Sequence, residues 1–326
     1  SNCFFLILSD NMNHKTIDLI RSNDHLTLSR VISKVESNIN LDNDLFEKIY
    51  SYSNDSIRIG ITGPPGAGKS TLTNQIIKNF LNDNKSVGVI AVDPTSPFTG
   101  GAVLGDRIRM QDHALDNEVF IRSIGSRGDL GGLSNSASGI IRLFDIFGMN
   151  IVIIETVGVG QTELDIVKIA DCVVVTLVPE AGDGVQAMKA GLMEIGDVFV
   201  VNKSDRGGAE KLAREIDYMV SLKQSESNWK TKVLTAQAEN NIGMSELVEE
   251  IESFVEFESN NGNLVNKKKQ RQIAEIDSVL DRKIKSELEK IKDTKKIKGL
   301  MDRLKKGALE PEEVAETIFN LLRKNN

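Results

Sequence analysis

Cysteine, histidine and tryptophan are nearly missing from this chain of 326 residues, which holds two, three and one of them. Cys3 and Cys172 cannot build a disulfide framework, and Cys172 stands inside the apolar run 172–178, where a buried thiol is expected rather than a reactive one. His14, His25 and His113 are dispersed, with no Cys-x-Cys pair or His cluster, so a preformed transition-metal centre is not expected. Long apolar runs are absent as well. The stretch Cys3 to Leu8 falls far short of the roughly 20 residues a membrane span requires and has no basic flank, so neither a span nor a secretory signal is expected. Positive charge is not in excess: 40 Lys and Arg stand against 47 Asp and Glu, for a net charge of −7 and a pI near 5.3. Nucleic acid and membrane surfaces are therefore not expected partners, and a reducing, cytoplasmic setting fits.

What remains is ordinary for a globular protein, with 40% hydrophobic and 27% charged residues. At roughly 150 residues per domain the length suggests two domains, or one large domain with arms. Ser1-Asn2 reads as a cloning remnant and Met12 as the natural start, so residues 1–11 are expected to be disordered or non-native. From Thr16 to Ser37 apolar residues recur at helical spacing with a break near Ser22-Asn23-Asp24, which predicts two short helices in an N-terminal arm over 1–54.

The chain is organised around Gly63-Pro64-Pro65-Gly66-Ala67-Gly68-Lys69-Ser70-Thr71. An apolar run, Ile57 to Thr62, precedes it and an amphipathic one, Leu72 to Leu81, follows, so the order is strand, glycine loop, helix. Glycines 63, 66 and 68 permit positive φ and a close backbone approach, so successive N–H groups and the helix N-terminus can face phosphate oxygens. Lys69 suits the β and γ phosphates, the Ser70 hydroxyl suits Mg²⁺, and Thr71 lies close to an α phosphate. The predicted class is an α/β P-loop NTPase, a mostly parallel central sheet flanked by helices over 55–258, with a C-terminal helical extension over 259–326.

Acids follow at strand ends. Val87 to Val92 is a β-branched run ending at Asp93, at the sheet edge where ligands bind in open α/β folds; Asp93 is a candidate for Mg²⁺ or for the attacking water. The glycine-rich stretches 98–107 and 125–132 read either as nucleotide-sensing switches or as plain connections. Ile151 to Ile154 is fully apolar and ends in Glu155, the position of a Walker B acid, with Glu in place of the usual Asp; direct and water-mediated contact with Mg²⁺ both stay open. Gly158 can offer an N–H to the γ phosphate, and Gln161 can orient water or a partner. After a further buried strand, 171–178, Lys189 reads either as directed to the same sheet edge or as an ordinary surface lysine.

Val198 to Val201 leads into Asn202-Lys203-Ser204-Asp205. The Asp205 carboxylate can accept from guanine N1–H and the exocyclic amine, Asn202 can reach the other edge of the base, and the Lys203 stem can cover the ring. Adenine offers the opposite pattern, so GTP and GDP are expected over ATP. Thr235-Ala236-Gln237, closing a strand from Lys232, is expected to place a backbone N–H on guanine O6. A helix from Met244 to Phe257 follows, then Glu258 to Asn266 reads as a linker. Lys267 to Arg271 reads as a solvated basic face, and Ile273, Ile276, Leu280, Ile284, Leu288 and Ile291 form a helical stripe that needs a partner.

Together with Ala91-Val92-Asp93-Pro94-Thr95-Ser96-Pro97, Gly105-Asp106-Arg107 and Glu155 to Gln161, these motifs make the chain resemble, from about Leu28 onward, the MeaB/ArgK/MMAA family. These are GTPases that escort cobalamin-dependent acyl-CoA mutases, chiefly methylmalonyl-CoA mutase. The resemblance implies that Asp93 and Asp106 are acids of a first switch on the Mg²⁺ side, with Ser70 and Glu155 beside the same ion. It implies a second switch at Glu155 to Gln161, a third over Gly182 to Lys189 that reports to the mutase, and a homodimer through the C-terminal helices. Lys69, Asp93, Glu155, Gln161 and Lys189 are the residues it places in or near catalysis. The rival reading is a metallochaperone GTPase of the hydrogenase or urease maturation type, which needs metal ligands that the Cys and His pattern does not provide.

Overall fold

The computed structural model describes residues 15–37, 49, 56–94, 113, 116–126, 132–156, 162–179, 191–223 and 229–324. Two compact units divide the chain, 1–267 and 268–326.

In the first unit, helix α1 (15–21) ends at Asn23, whose φ of 62° turns the backbone out of the helix. Asp24 then caps α2 (His25–Ser37): its Oδ1 accepts from the N–H of Leu26 and Thr27 at 3.0 and 3.3 Å, and its Oδ2 from the Thr27 hydroxyl at 2.7 Å. Those donors, the Thr27 hydroxyl first, hold the Asp24 carboxyl below its ordinary value. Both helices are expected from the pattern. Their Ile17, Ile20, Leu28, Val31, Ile32 and Val35 are buried in one apolar cluster with residues of the sheet and of the helix Gly132–Phe147.

The strands are β1 (Ile57–Thr62), β2 (Val87–Pro94), β3 (Val119–Ser126), β4 (Ile151–Thr156), β5 (Cys172–Leu177), β6 (Val198–Val201) and β7 (Val233–Thr235). Among the described residues they make one sheet in the order β3-β2-β4-β1-β5-β6-β7, with every neighbouring pair parallel. The helices between them are α3 (Lys69–Asn82), α4 (Gly132–Phe147), α5 (Thr162–Asp165), α6 (Leu192–Ile195), α7 (Ala209–Lys223) and α8 (Met244–Asn260). Parallel strands bury both faces, which is why β4 and β5 carry no polar alternation. Alternate residues serve opposite layers: Val152 and Ile154 join α1, α2, α4 and α7 on one face, while Ile151 and Ile153 join α3 and α8 on the other. Cys172 is buried in the second layer, and burial, then the neighbouring Asp197, pushes its thiol up.

Glu258 to Asn266 is not a linker. α8 runs to Asn260 and α9 (Asn263–Lys292) starts after two intervening residues, with Gly262 at φ 72° turning the chain. The polar residues that suggested a loop satisfy one another instead. Asn263 donates to Glu258 at 2.9 Å, while Lys267 pairs with Glu258 at 3.0 Å, donates to the Asp171 carbonyl at 3.1 Å and lies 5.4 Å from the Phe254 ring.

The second unit continues α9 and adds α10 (Lys295–Lys305) and α11 (Pro311–Lys324). Ile291, Ile297 and Val314 are buried, whereas Ile273, Ile276, Leu280 and Ile284 lie exposed along α9 at the expected spacing. No helix among the described residues is long and apolar enough to cross a membrane.

Candidate active site

β1 is the fourth of seven strands, and the glycine loop leaves its C-terminal end between β4 and β5. The loop is pressed against its neighbours at two glycines. Gly63 has φ 140°, and a Cβ there would lie 2.0 Å from the Thr176 carbonyl oxygen; at Gly68, φ 81°, a Cβ would lie 2.6 Å from Asn202 Nδ2. No side chain fits at Gly63, and one at Gly68 would push on the Asn202 amide. α3 begins at Lys69, so the positive end of its backbone dipole faces the loop.

Lys69 is 6% exposed, and its ammonium folds back over the loop, donating to the carbonyls of Gly63 at 2.8 Å and Pro64 at 3.0 Å. Glu155 is 4% exposed and pairs in register with Ile61 of β1 and Ala91 of β2. Its carboxylate accepts from the Ser70 hydroxyl at 2.6 Å and from the Thr73 hydroxyl at 2.9 Å. Ser70 and Glu155, both expected beside Mg²⁺, are hydrogen-bonded directly to each other. Thr73 escaped the sequence reading; the signal for it was its place one helical turn beyond Ser70, on the same face. Asp93 is the penultimate residue of β2, on the strand that pairs with β4, but its side chain lies outside the described residues. Asp106, Gln161 and Lys189 lie outside them too.

The second expected motif meets the first. Asn202, 2% exposed, donates from Nδ2 to the Ala67 carbonyl at 3.0 Å and accepts at Oδ1 from the Ala238 N–H at 3.1 Å. Lys203, at φ 57°, donates to the Gly66 carbonyl at 2.9 Å. An open pocket of about 370 Å³ lies beside this junction, lined by Gly68, Thr71, Asn202, Lys203, Asp205 and Arg206 and by 237–240. Asp205 is exposed at its wall, free to face a base.

One expectation is corrected. The N–H meant for guanine O6 is not offered by Ala236 or Gln237: Ala236 donates to the Val201 carbonyl at 2.9 Å, and Gln237 to that of Ile242 at 3.0 Å. The last hydrogen bond of the β6–β7 ladder takes the Ala236 N–H, and the pocket wall is formed by Gln237, Ala238, Glu239 and Asn240. Thr235 itself ends β7.

The comparisons with known proteins agree with this geometry. The family model described as Methylmalonyl Co-A mutase-associated GTPase MeaB matches residues 28–293. A Pyrococcus abyssi protein that carries the GTPase name is 41% identical over 306 residues, 93% of this chain and 94% of its own. The GTPase ArgK of Escherichia coli is 35% identical over 267 residues, 79% of this chain and 81% of its own. The mouse Methylmalonic aciduria type A homolog, mitochondrial, is 36% identical over 204 residues, 61% of this chain and 49% of its own. A crystal structure of an LAO/AO transport system kinase superposes with a TM-score of 0.67 at 25% identity, covering 96% of this chain and 98% of that one. The family model spans most of the chain and relatives above 30% identity cover more than two thirds of it: the chain belongs to the MeaB family of P-loop GTPases.

Proposed function

We propose that this GTPase works with Mg²⁺ as the escort of a cobalamin-dependent acyl-CoA mutase, methylmalonyl-CoA mutase being the client, and that it does so as a homodimer in the cytoplasm. The observation that carries the client is the family match over 28–293, whose description names the mutase. Exposed Ile273, Ile276, Leu280 and Ile284 support the dimer, since an apolar stripe of that length is costly in water. Under this reading 1–54 precedes the nucleotide domain, 55–258 is that domain, and 259–326 carries the dimer contacts.

The site residues suit the chemistry. The loop from Gly63 to Ser70, through the backbone N–H groups of its non-proline residues, and the start of α3 hold the phosphates, and Thr71 lies beside the α phosphate. Lys69 exchanges its carbonyl partners for the β and γ phosphates, keeping its charge satisfied in both states. The donor set fits Mg²⁺: the hard oxygens of Ser70 and Glu155 meet at the head of α3, and Asp93 and Asp106 are the further acids proposed for it. When bound, the ion neutralises charge that develops on the phosphates. Gln161 and Asp93 are proposed to orient the attacking water, and the segment to Lys189 to report the nucleotide state to the client. Asp205, Asn202 and Lys203 read the base, with Ala238 at the wall in place of Ala236.

The test is capture. Full-length tagged chain loaded with GDP, or with a non-hydrolysable GTP analogue, is offered a purified cobalamin-dependent methylmalonyl-CoA mutase, and complex mass is read by sedimentation. Nucleotide-dependent binding by a dimer is expected. A monomeric protein that binds the mutase in no nucleotide state would overturn the proposal, leaving the GTPase assignment in place.

A further inference from the structure

Thr73 is completely buried in α3, whose Leu72, Ile76 and Ile77 belong, with Ile153 of β4, to the apolar cluster on that face of the sheet. A threonine within a helix commonly returns its hydroxyl proton to the carbonyl of the preceding turn. Thr73 instead sends it across to β4, to Glu155 Oε2 at 2.9 Å. The other oxygen, Oε1, takes the Ser70 proton at 2.6 Å. Ser70 and Thr73 stand one turn apart on one helix face, so the carboxylate lies along α3 and accepts from both.

We infer that Thr73 is a positioning residue of the GTPase site: its hydroxyl fixes the Glu155 carboxylate, which in turn holds the Ser70 proton and leaves the Ser70 oxygen lone pairs directed at the divalent cation beside the phosphates. This rests on the reading that Mg²⁺ accompanies the nucleotide. The physical steps are short. A glutamate has three side-chain torsions, the last of them broad, so a single hydroxyl partner does not fix its plane. Threonine, branched at Cβ, is stiff at χ1 and offers its donor from a defined place. A serine hydroxyl has one proton; once Glu155 owns it, the oxygen is an acceptor only, which is what a hard cation requires. Loss of the Thr73 hydroxyl removes the donor that holds Oε2 and loosens the plane of the carboxylate, which lets the Ser70 proton swing toward the cation.

Release of a fluorescent GDP analogue from the full-length protein, followed against Mg²⁺ concentration, tests this. Thr73→Val and Thr73→Ala should need about tenfold more Mg²⁺ than wild type for half-maximal slowing of release, the loss of one hydrogen bond to a charged group. Thr73→Ser, which keeps the hydroxyl, should stay within twofold of wild type. In excess EDTA all four proteins should release at one rate, because the glycine loop and the base pocket are untouched. The serine and alanine variants both lose the methyl group, so their comparison decides the matter even if the valine variant does not fold. Equal Mg²⁺ midpoints for serine and alanine, or equal slowing changes with and without EDTA, would make Thr73 a packing residue and overturn the inference while Mg²⁺ dependence stands. A wild type whose release ignores Mg²⁺ overturns the inference together with the reading beneath it.

Discussion

Replacing Asn202 by alanine should separate the phosphate loop from the base pocket. The side chain makes two buried hydrogen bonds, to the Ala67 carbonyl at 3.0 Å and from the Ala238 N–H at 3.1 Å. Each is worth about 1 kcal/mol net, and the amide and carbonyl left behind are buried groups whose unmet demand raises the cost to about 3 kcal/mol together. If the loss falls on nucleotide binding, affinity for GTP and GDP alike drops about 10²-fold at 1.4 kcal/mol per decade. If it falls on the folded state, the melting temperature of a domain this size drops roughly 6–12 °C. The first outcome is expected, because Asn202 bonds both Ala67 and the 238–240 turn, while each keeps its own local backbone bonds without it. Titration with a fluorescent guanine nucleotide and a melting curve on the same sample check both. Affinity within threefold of wild type, with an unchanged melt, would refute the claim that Asn202 joins the two motifs. Asn202→Asp sharpens the test: it keeps an acceptor for Ala238 but sets a carboxylate against the Ala67 carbonyl, so it should bind no better than the alanine variant.

Lys69→Ala should weaken GTP binding at least ~10²-fold with little change in the melt, since the ammonium donates to the Gly63 and Pro64 carbonyls of its own loop; equilibrium dialysis measures it. Asp205→Asn should cost GTP at least ~10²-fold and partly recover binding to xanthosine triphosphate, because the amide donates where the carboxylate accepted; competition titration reads the preference. Asp24→Ala should lower the melting temperature at neutral pH by loss of the α2 cap. Because the folded Asp24 carboxyl is held below the unfolded value of about 3.9, that deficit should be full above it and vanish as the pH falls through the lower folded value, which melts across an acid series check.

The parts of the site that were legible are those in which backbone geometry demands a residue type. Gly63 and Gly68 are glycines because a neighbouring carbonyl and an amide occupy the space a Cβ needs, and such positions announce themselves between a strand and a helix. Strand ends were legible for a similar reason: with both faces buried, β4 is apolar throughout until Glu155, so the first acid marks the edge. Thr73, Ala238 and the helical turn at 261–262 were not legible. Thr73 has the sequence context of any helix threonine, and only the position of Glu155 on the adjacent strand gives it a role. The Thr-Ala pair at 235–236 matched the expected motif, but how far the β6–β7 ladder runs is set by pairing between strands, which a single strand does not encode. Glu258, Asn263 and Lys267 looked like loop residues because composition cannot show that polar groups five and nine positions apart will satisfy one another.

The two motifs read separately along the chain turn out to be one object, and this bears on how the enzyme senses its nucleotide. Asn202 and Lys203 grip the carbonyls of Ala67 and Gly66, whose peptide units carry the N–H groups of Gly68 and Ala67; the Ala67 N–H goes to the Pro64 carbonyl at 3.3 Å, and the Gly68 N–H is one of those proposed to meet the phosphates. A peptide unit cannot turn its carbonyl without turning the amide bonded to it. Seating of a base between Asp205 and Lys203 is therefore expected to steady the Gly68 amide proposed for the phosphates, and a wrong base, which leaves Asp205 unsatisfied, to loosen that part of the cradle. Selectivity for guanine should consequently be larger for the whole nucleotide than for the nucleoside, where no phosphate is present to report the state of the loop.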